Sequence, residues 1–95
     1  MSKYTNTAGV PPGILSALSE PSRQKILDLL KKEEMAVTDI GEHFSFTMPT
    51  LSHHLDTLYR AGLISKRRDG VRILYSANMS VMEELAEKVV KLLTK

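Results

Sequence analysis

The stretch LISKRRDGVRILYSAN (residues 63–78) alternates apolar and polar side chains around Asp69-Gly70, a pair that strongly favours a tight two-residue hairpin turn. It is the only convincing β element in the sequence. Elsewhere the apolar residues recur at helical spacing, so the fold class is mainly α with one β-hairpin.

The segment SEPSRQKILDLLKKEE opens with Ser19 or Glu20 as a cap and Pro21 in the first turn. It continues with Ile26, Leu27, Leu29 and Leu30 on one side and Lys25, Asp28, Lys31 and Lys32 largely on the other, which predicts a helix. Before it, Ile14, Leu15 and Leu18 follow Pro11-Pro12-Gly13 as a short helical piece. After it, MAVTDIGEHF offers Thr38 as a cap with Ile40 and Phe44 four apart, a helix of about two turns. Thr47 then caps a third helix that tolerates Pro49 in its first turn, keeps Leu51, Leu55 and Leu58 in register, and stops at Ala61-Gly62. Last, Ser80 and Glu83 form a capping box ahead of Val81, Met82, Leu85, Val89, Leu92 and Leu93. Residues 1–13 read as a flexible arm and 14–95 as one domain.

A short helix joined by a tight turn to a second helix is a helix-turn-helix, and the hairpin that follows makes it a winged one. A helical bundle of no particular function would show the same elements. What favours the winged reading is charge. The net charge is only +2, yet Arg60, Lys66, Arg67, Arg68 and Arg72 fall within thirteen residues that contain a single acid, Asp69. Such a patch suits a phosphate backbone. No apolar run is long enough for a membrane span, the N-terminus lacks a signal-peptide core, and there are no cysteines. Cytoplasmic residence and no membrane insertion are the expectation.

Two of the three histidines stand together in LSHHLD (residues 51–56). At about 100° per residue, Leu55 and Leu58 fall within about 40° of Leu51 and define a buried stripe. His53 points away from it with Pro49, Asp56 and Arg60, flanked by Thr50 and Ser52. His54 lies at the stripe's border. Adjacent helical histidines diverge too far to share one ion, and His53 with Asp56 makes only two ligands. No phosphate loop, nucleophile elbow or second lobe supports an enzyme. The outward face instead suits contact with base edges and phosphates, against the plain alternative of a solvated helix face. For His54, packing within the domain and a DNA contact stand level.

The residues that carry these features resemble the ArsR/SmtB family of bacterial winged-helix repressors. LSEPSRQKILDLL is similar to that family's opening helices, and FTMPTLSHHLDTLYRAGLISKRRDGVRILYSAN to its recognition helix and wing. The resemblance implies DNA contact for Met48, Pro49, Thr50, Ser52, His53 and His54, and wing contact for Arg67, Arg68 and Arg72. It also implies a homodimer on imperfect inverted repeats of double-stranded DNA. The family's metal-sensing Cys-x-Cys positions are matched here by Ala36, Val37 and Thr38, and residues 80–95 hold no histidine. The chain therefore resembles the metal-independent branch, with no cofactor implied; Val37 is read as packing and Thr38 as a cap.

The last helix carries more apolar surface than a small core needs, and Ile14, Leu15 and Leu18 need cover too. A dimer through the first and last helices, using these with Met82, Leu85, Val89, Leu92 and Leu93, solves both problems; a wide face that is simply core is the alternative. The reading is a dimeric, sequence-specific repressor. Its rivals are a winged-helix protein-interaction module and a metal-responsive repressor using His43 with carboxylates. A protein partner, a small ligand in the dimer interface, or control of concentration would each relieve repression.

Overall fold

The computed structural model describes residues 12–94, so most of the expected arm lies outside the described residues. Pro12 and Gly13, assigned above to the arm, instead begin the first helix. The elements run α1 (Pro12–Leu18), α2 (Pro21–Lys32), β1 (Met35–Ala36), α3 (Val37–Gly41), α4 (Met48–Arg60), β2 (Ile64–Asp69), β3 (Arg72–Ala77) and α5 (Met79–Leu93).

Local signals account for most of the boundaries. The Glu20 carboxylate accepts from the Arg23 N–H at 3.1 Å and Pro21 opens α2. At α4, the Thr47 hydroxyl oxygen accepts from the Thr50 N–H at 3.4 Å, and Leu51 N–H donates to the Thr47 carbonyl at 2.9 Å. The helix ends at Gly62, whose φ of 81° favours glycine. There the Gly62 and Leu63 N–H groups fold back on the carbonyls of Tyr59 and Leu58, each at 3.0 Å. Gly70, at φ 67°, turns the hairpin.

Three features depart from expectation. The sheet has three strands in the order β1-β3-β2, all antiparallel, because Met35 and Ala36 pair with Tyr75 and Leu74. That pairing keeps the chain extended through Ala36, so α3 starts at Val37 with Ala36 at its cap position, and Thr38 lies inside it rather than capping it. The helix is five residues long, shorter than expected, because it ends at Gly41, before Phe44. Likewise α5 begins at Met79, before the expected capping box. Asn78 holds the cap position, but its side chain accepts from the Ser65 hydroxyl and donates to the Gly62 carbonyl at 2.8 Å, closing the corner between α4 and the sheet.

The core joins Ile14 and Ala17 of α1, Ile26, Leu27 and Leu30 of α2, Ile40 of α3, the stripe Leu51, Leu55 and Leu58 of α4, and Leu63 with Ile64. Burying the α4 stripe fixes this helix against α2 and leaves its opposite face to solvent. The turn between α3 and α4 is stiffened by Phe44 and Phe46, stacked at 4.7 Å between ring centroids. No residue of α5 is fully buried. Val81, Met82 and Leu85 lie against the core, while Val89, Val90, Leu92 and Leu93 are exposed. Among the described residues no helix is long and apolar enough to cross a membrane.

Candidate nucleic-acid interface

The outer face of α4 presents Met48, Pro49, Thr50, Ser52, His53, Asp56 and Arg60, all exposed. Small hydroxyls flank His53 where close approach to a duplex matters. Asp56 is paired with Arg60 at 3.0 Å, one turn apart, so its charge is offset within the face. The Thr57 hydroxyl donates back to the His53 carbonyl at 3.0 Å, which leaves the His53 ring as the forward polar group.

His54 belongs elsewhere. It is 9% exposed, packed edge-on against Phe46 at 5.4 Å, and its Nδ1 lies 3.2 Å from Arg23 Nη1. A guanidinium only donates, so the ring presents Nδ1 as acceptor and carries its proton on Nε2. Burial holds the imidazole's pKa below its ordinary 6.5; Arg23 and His53 push the same way, and Glu20 opposes them. The two ring centroids of His53 and His54 are 6.0 Å apart with planes tilted by 50°, which suits two separate roles. The position that the resemblance assigned to DNA contact thus sits at the edge of the core.

The hairpin carries its cations on both faces. Cross-strand register and side-chain alternation place Lys66 and Arg68 on the face of Ile73, Tyr75 and Ile64, and Arg67 and Arg72 on the opposite face with Leu74. Arg67 makes a two-pronged bond to Glu34, Nε to Oε2 at 2.7 Å and Nη2 to Oε1 at 2.8 Å. This hydrogen bond, chiefly, lowers the Glu34 pKa and raises that of Arg67. Arg72 Nη2 donates to Asp39 Oδ2 at 2.8 Å. Lys66 Nζ sits 4.4 Å over the Tyr59 ring of α4. Arg68 has only a long 3.5 Å contact, to the Gly70 carbonyl, and no carboxylate partner among the described residues.

No local pattern in the sequence marks Glu34, Asp39 or Arg23, because each meets its partner across about 30 residues of chain. The proximity of acids to the hairpin is a property of the third strand, which brings the chain from Glu34 to Asp39 alongside β3.

Of the residues expected to cover a dimer, Ile14 is already buried within the chain, and Leu18, Met82 and Leu85 are half-buried. Leu15, Val89, Leu92 and Leu93 are exposed, with Leu93 at 79%. Val90, not anticipated, is exposed as well and lines with Leu18, Leu63, Met82, Leu85, Ala86 and Val89 an open apolar groove. His43 is exposed in a shallow depression beside Lys25 and Asp28. Among the described residues no group of three or more histidine and carboxylate side chains is placed to hold a metal ion.

Residues 20–66 match the family model described as "Bacterial regulatory protein, arsR family". The chain is 46% identical over 71 residues to the transcriptional repressor SdpR of Bacillus subtilis, covering 75% of this chain and 79% of SdpR. It is 40% identical over 76 residues to the arsenical resistance operon repressor of Staphylococcus aureus, covering 80% of this chain and 73% of that one. Among solved structures, it resembles a homodimeric winged helix-turn-helix DNA-binding domain from Mycobacterium bovis with a TM-score of 0.66 at 28% identity, over 83% of this chain and 80% of that chain.

Proposed function

This chain belongs to the arsR family of bacterial regulatory proteins and is a DNA-binding transcriptional repressor of that family, and from that premise we propose that it acts as a homodimer on an inverted-repeat operator, without a metal ion as its signal. The observation that carries this reading is the division of α4 into a buried leucine stripe and an outward face of Thr50, Ser52 and His53. The stripe makes the reader rigid, and the face is small, polar and nearly neutral, as direct contact with base edges requires. Met48 and Pro49 enter the groove first. The cationic hairpin anchors on the backbone.

The apolar groove and the exposed end of α5 support a two-fold dimer, as does the homodimeric solved relative. Such a dimer sets two α4 helices about 34 Å apart for successive major grooves. Metal independence is supported by Ala36, Val37 and Thr38 at the positions where relatives of the metal-sensing type hold cysteines.

Selection from a random duplex pool at moderate salt, followed by footprinting, tests this reading. It expects an inverted repeat with half-sites about one helical turn apart, bound equally with added zinc or a chelator. No preferred duplex would overturn it in favour of a protein-interaction module.

A further inference from the structure

The hairpin's four cations are not equivalent. Arg67 and Arg72 lie on the face that turns away from α4, and both are engaged by carboxylates that come from other elements: Glu34 just before β1 and Asp39 in α3. Between these pairs lies Leu74, directly across from Arg67 on one side and Ala36 on the other. Leu74 is 9% exposed and Ala36 4%, although neither belongs to the main core cluster. The two ion pairs therefore bracket a small buried apolar pair on this face of the three-stranded sheet. Lys66 and Arg68 lie on the other face, where Lys66 rests on the Tyr59 ring of α4.

We propose that the wing divides its cations by face: Lys66 and Arg68 meet the phosphate backbone, while Glu34 and Asp39 hold Arg67 and Arg72 as a strap across the sheet, out of the DNA contact. The inference rests on the DNA-binding reading above and corrects the assumption that all the hairpin arginines serve alike. Electrostatics favour it. A phosphate that took Arg67 from Glu34 would replace a two-pronged, charge-assisted bond and leave a carboxylate facing the nucleic acid. Among the described residues Arg68 has no such bond to surrender. Glu34 and Asp39 are thus positioning residues, which fix the wing's angle by tying its outer face to α3 and to the end of α2.

The test measures the dependence of operator affinity on salt for the full chain and for Arg68→Ala, Arg67→Ala, Arg72→Ala and Glu34→Gln. Each phosphate contact contributes about 0.9 to the slope of log affinity against log salt. Arg68→Ala is expected to lower the slope by about that amount for each wing in the complex. Arg67→Ala, Arg72→Ala and Glu34→Gln are expected to leave the slope unchanged, even where affinity at one salt concentration falls through a tilted wing. In the free protein, Arg67→Ala and Glu34→Gln should lower the unfolding midpoint alike, with the double variant no worse than either, whereas Arg68→Ala should not move it. A slope that falls equally for Arg67→Ala or Arg72→Ala, or stays put for Arg68→Ala, overturns the division. A wild-type chain that binds no duplex overturns the DNA-binding reading itself, so the two failures are distinguishable.

Discussion

The guanidinium of Arg23 reaches His54 Nδ1 at 3.2 Å while its other nitrogens donate to the Ala17 carbonyl at 2.8 Å and the Ser16 carbonyl at 3.2 Å. One side chain of α2 thus gathers the exposed carbonyls at the end of α1 and the inner edge of α4. The position of α4 is set not only by its leucines but also by a polar tie whose acceptor is a neutral imidazole.

That tie gives stability a pH dependence. Well above 6.5 His54 is neutral in both the folded and unfolded chain and contributes nothing to the slope. Below it, the unfolded chain takes up a proton that the folded chain resists, so stability falls with pH until the depressed folded pKa is passed. Urea unfolding should show a lower midpoint at about pH 5.5 than at about pH 7.5, and His54→Gln should flatten that difference. Glu34 acts in a separate window: its lowered pKa contributes stability above 4.5 that is lost as pH falls through the folded value. An unchanged slope in the His54 variant would show that the imidazole is not the titrating group.

Base reading by α4 predicts that Ser52→Ala or His53→Ala weakens operator binding more than binding to unrelated duplex. The expected loss is about 1 kcal/mol, on the order of fivefold, for each base contact removed. Titrations on both duplexes at one salt concentration check this. Equal losses on both would assign these side chains to the backbone instead.

If the apolar end of α5 seals the proposed dimer, Val89→Glu separates it without unfolding the chain, because Val89 lies outside the core cluster. A carboxylate set into an apolar interface should weaken association by about 3 kcal/mol or more. Sedimentation equilibrium at micromolar concentration, with helix content from circular dichroism, reads both quantities. A wild-type monomer under those conditions would remove the premise.

At the corner between α4 and the sheet, Asn78→Ala should cost about 1 to 2 kcal/mol, since it removes the donor to the Gly62 carbonyl and the acceptor of the Ser65 hydroxyl. Chemical denaturation measures it. A neutral result would mean that water replaces the amide without loss.

The long elements were legible because their signals are local. Glu20-Pro21 and Thr47 with Pro49 mark helix starts, Gly62 marks an end, and Asp69-Gly70 marks a turn whatever surrounds them. The outward face of α4 followed from leucine spacing alone. What the sequence concealed was set at a distance. Two residues are too few to display alternation, so the sequence does not mark β1, and the strand ends at Ala36, which takes the cap position expected for Thr38. Ser80 and Glu83 had the spacing of a capping box, yet the Asn78 N–H bonded to the Leu63 carbonyl at 3.0 Å places the helix start earlier. The basic run looked unopposed for the same reason: Glu34 and Asp39 reach it only through the folded sheet.

The start of α4 has one further effect on how an anion is received there. Helix N-termini ordinarily offer several free backbone donors to a phosphate, reinforced by the helix dipole. In α4, Pro49 has no N–H to give, the Thr50 N–H is already taken by the Thr47 hydroxyl, and the Leu51 N–H by the Thr47 carbonyl. Among the described residues this leaves the Met48 N–H as the one unengaged donor of the first turn. A backbone-driven, sequence-blind grip at this end of the helix is therefore weak, and side chains must supply what the peptide groups do not.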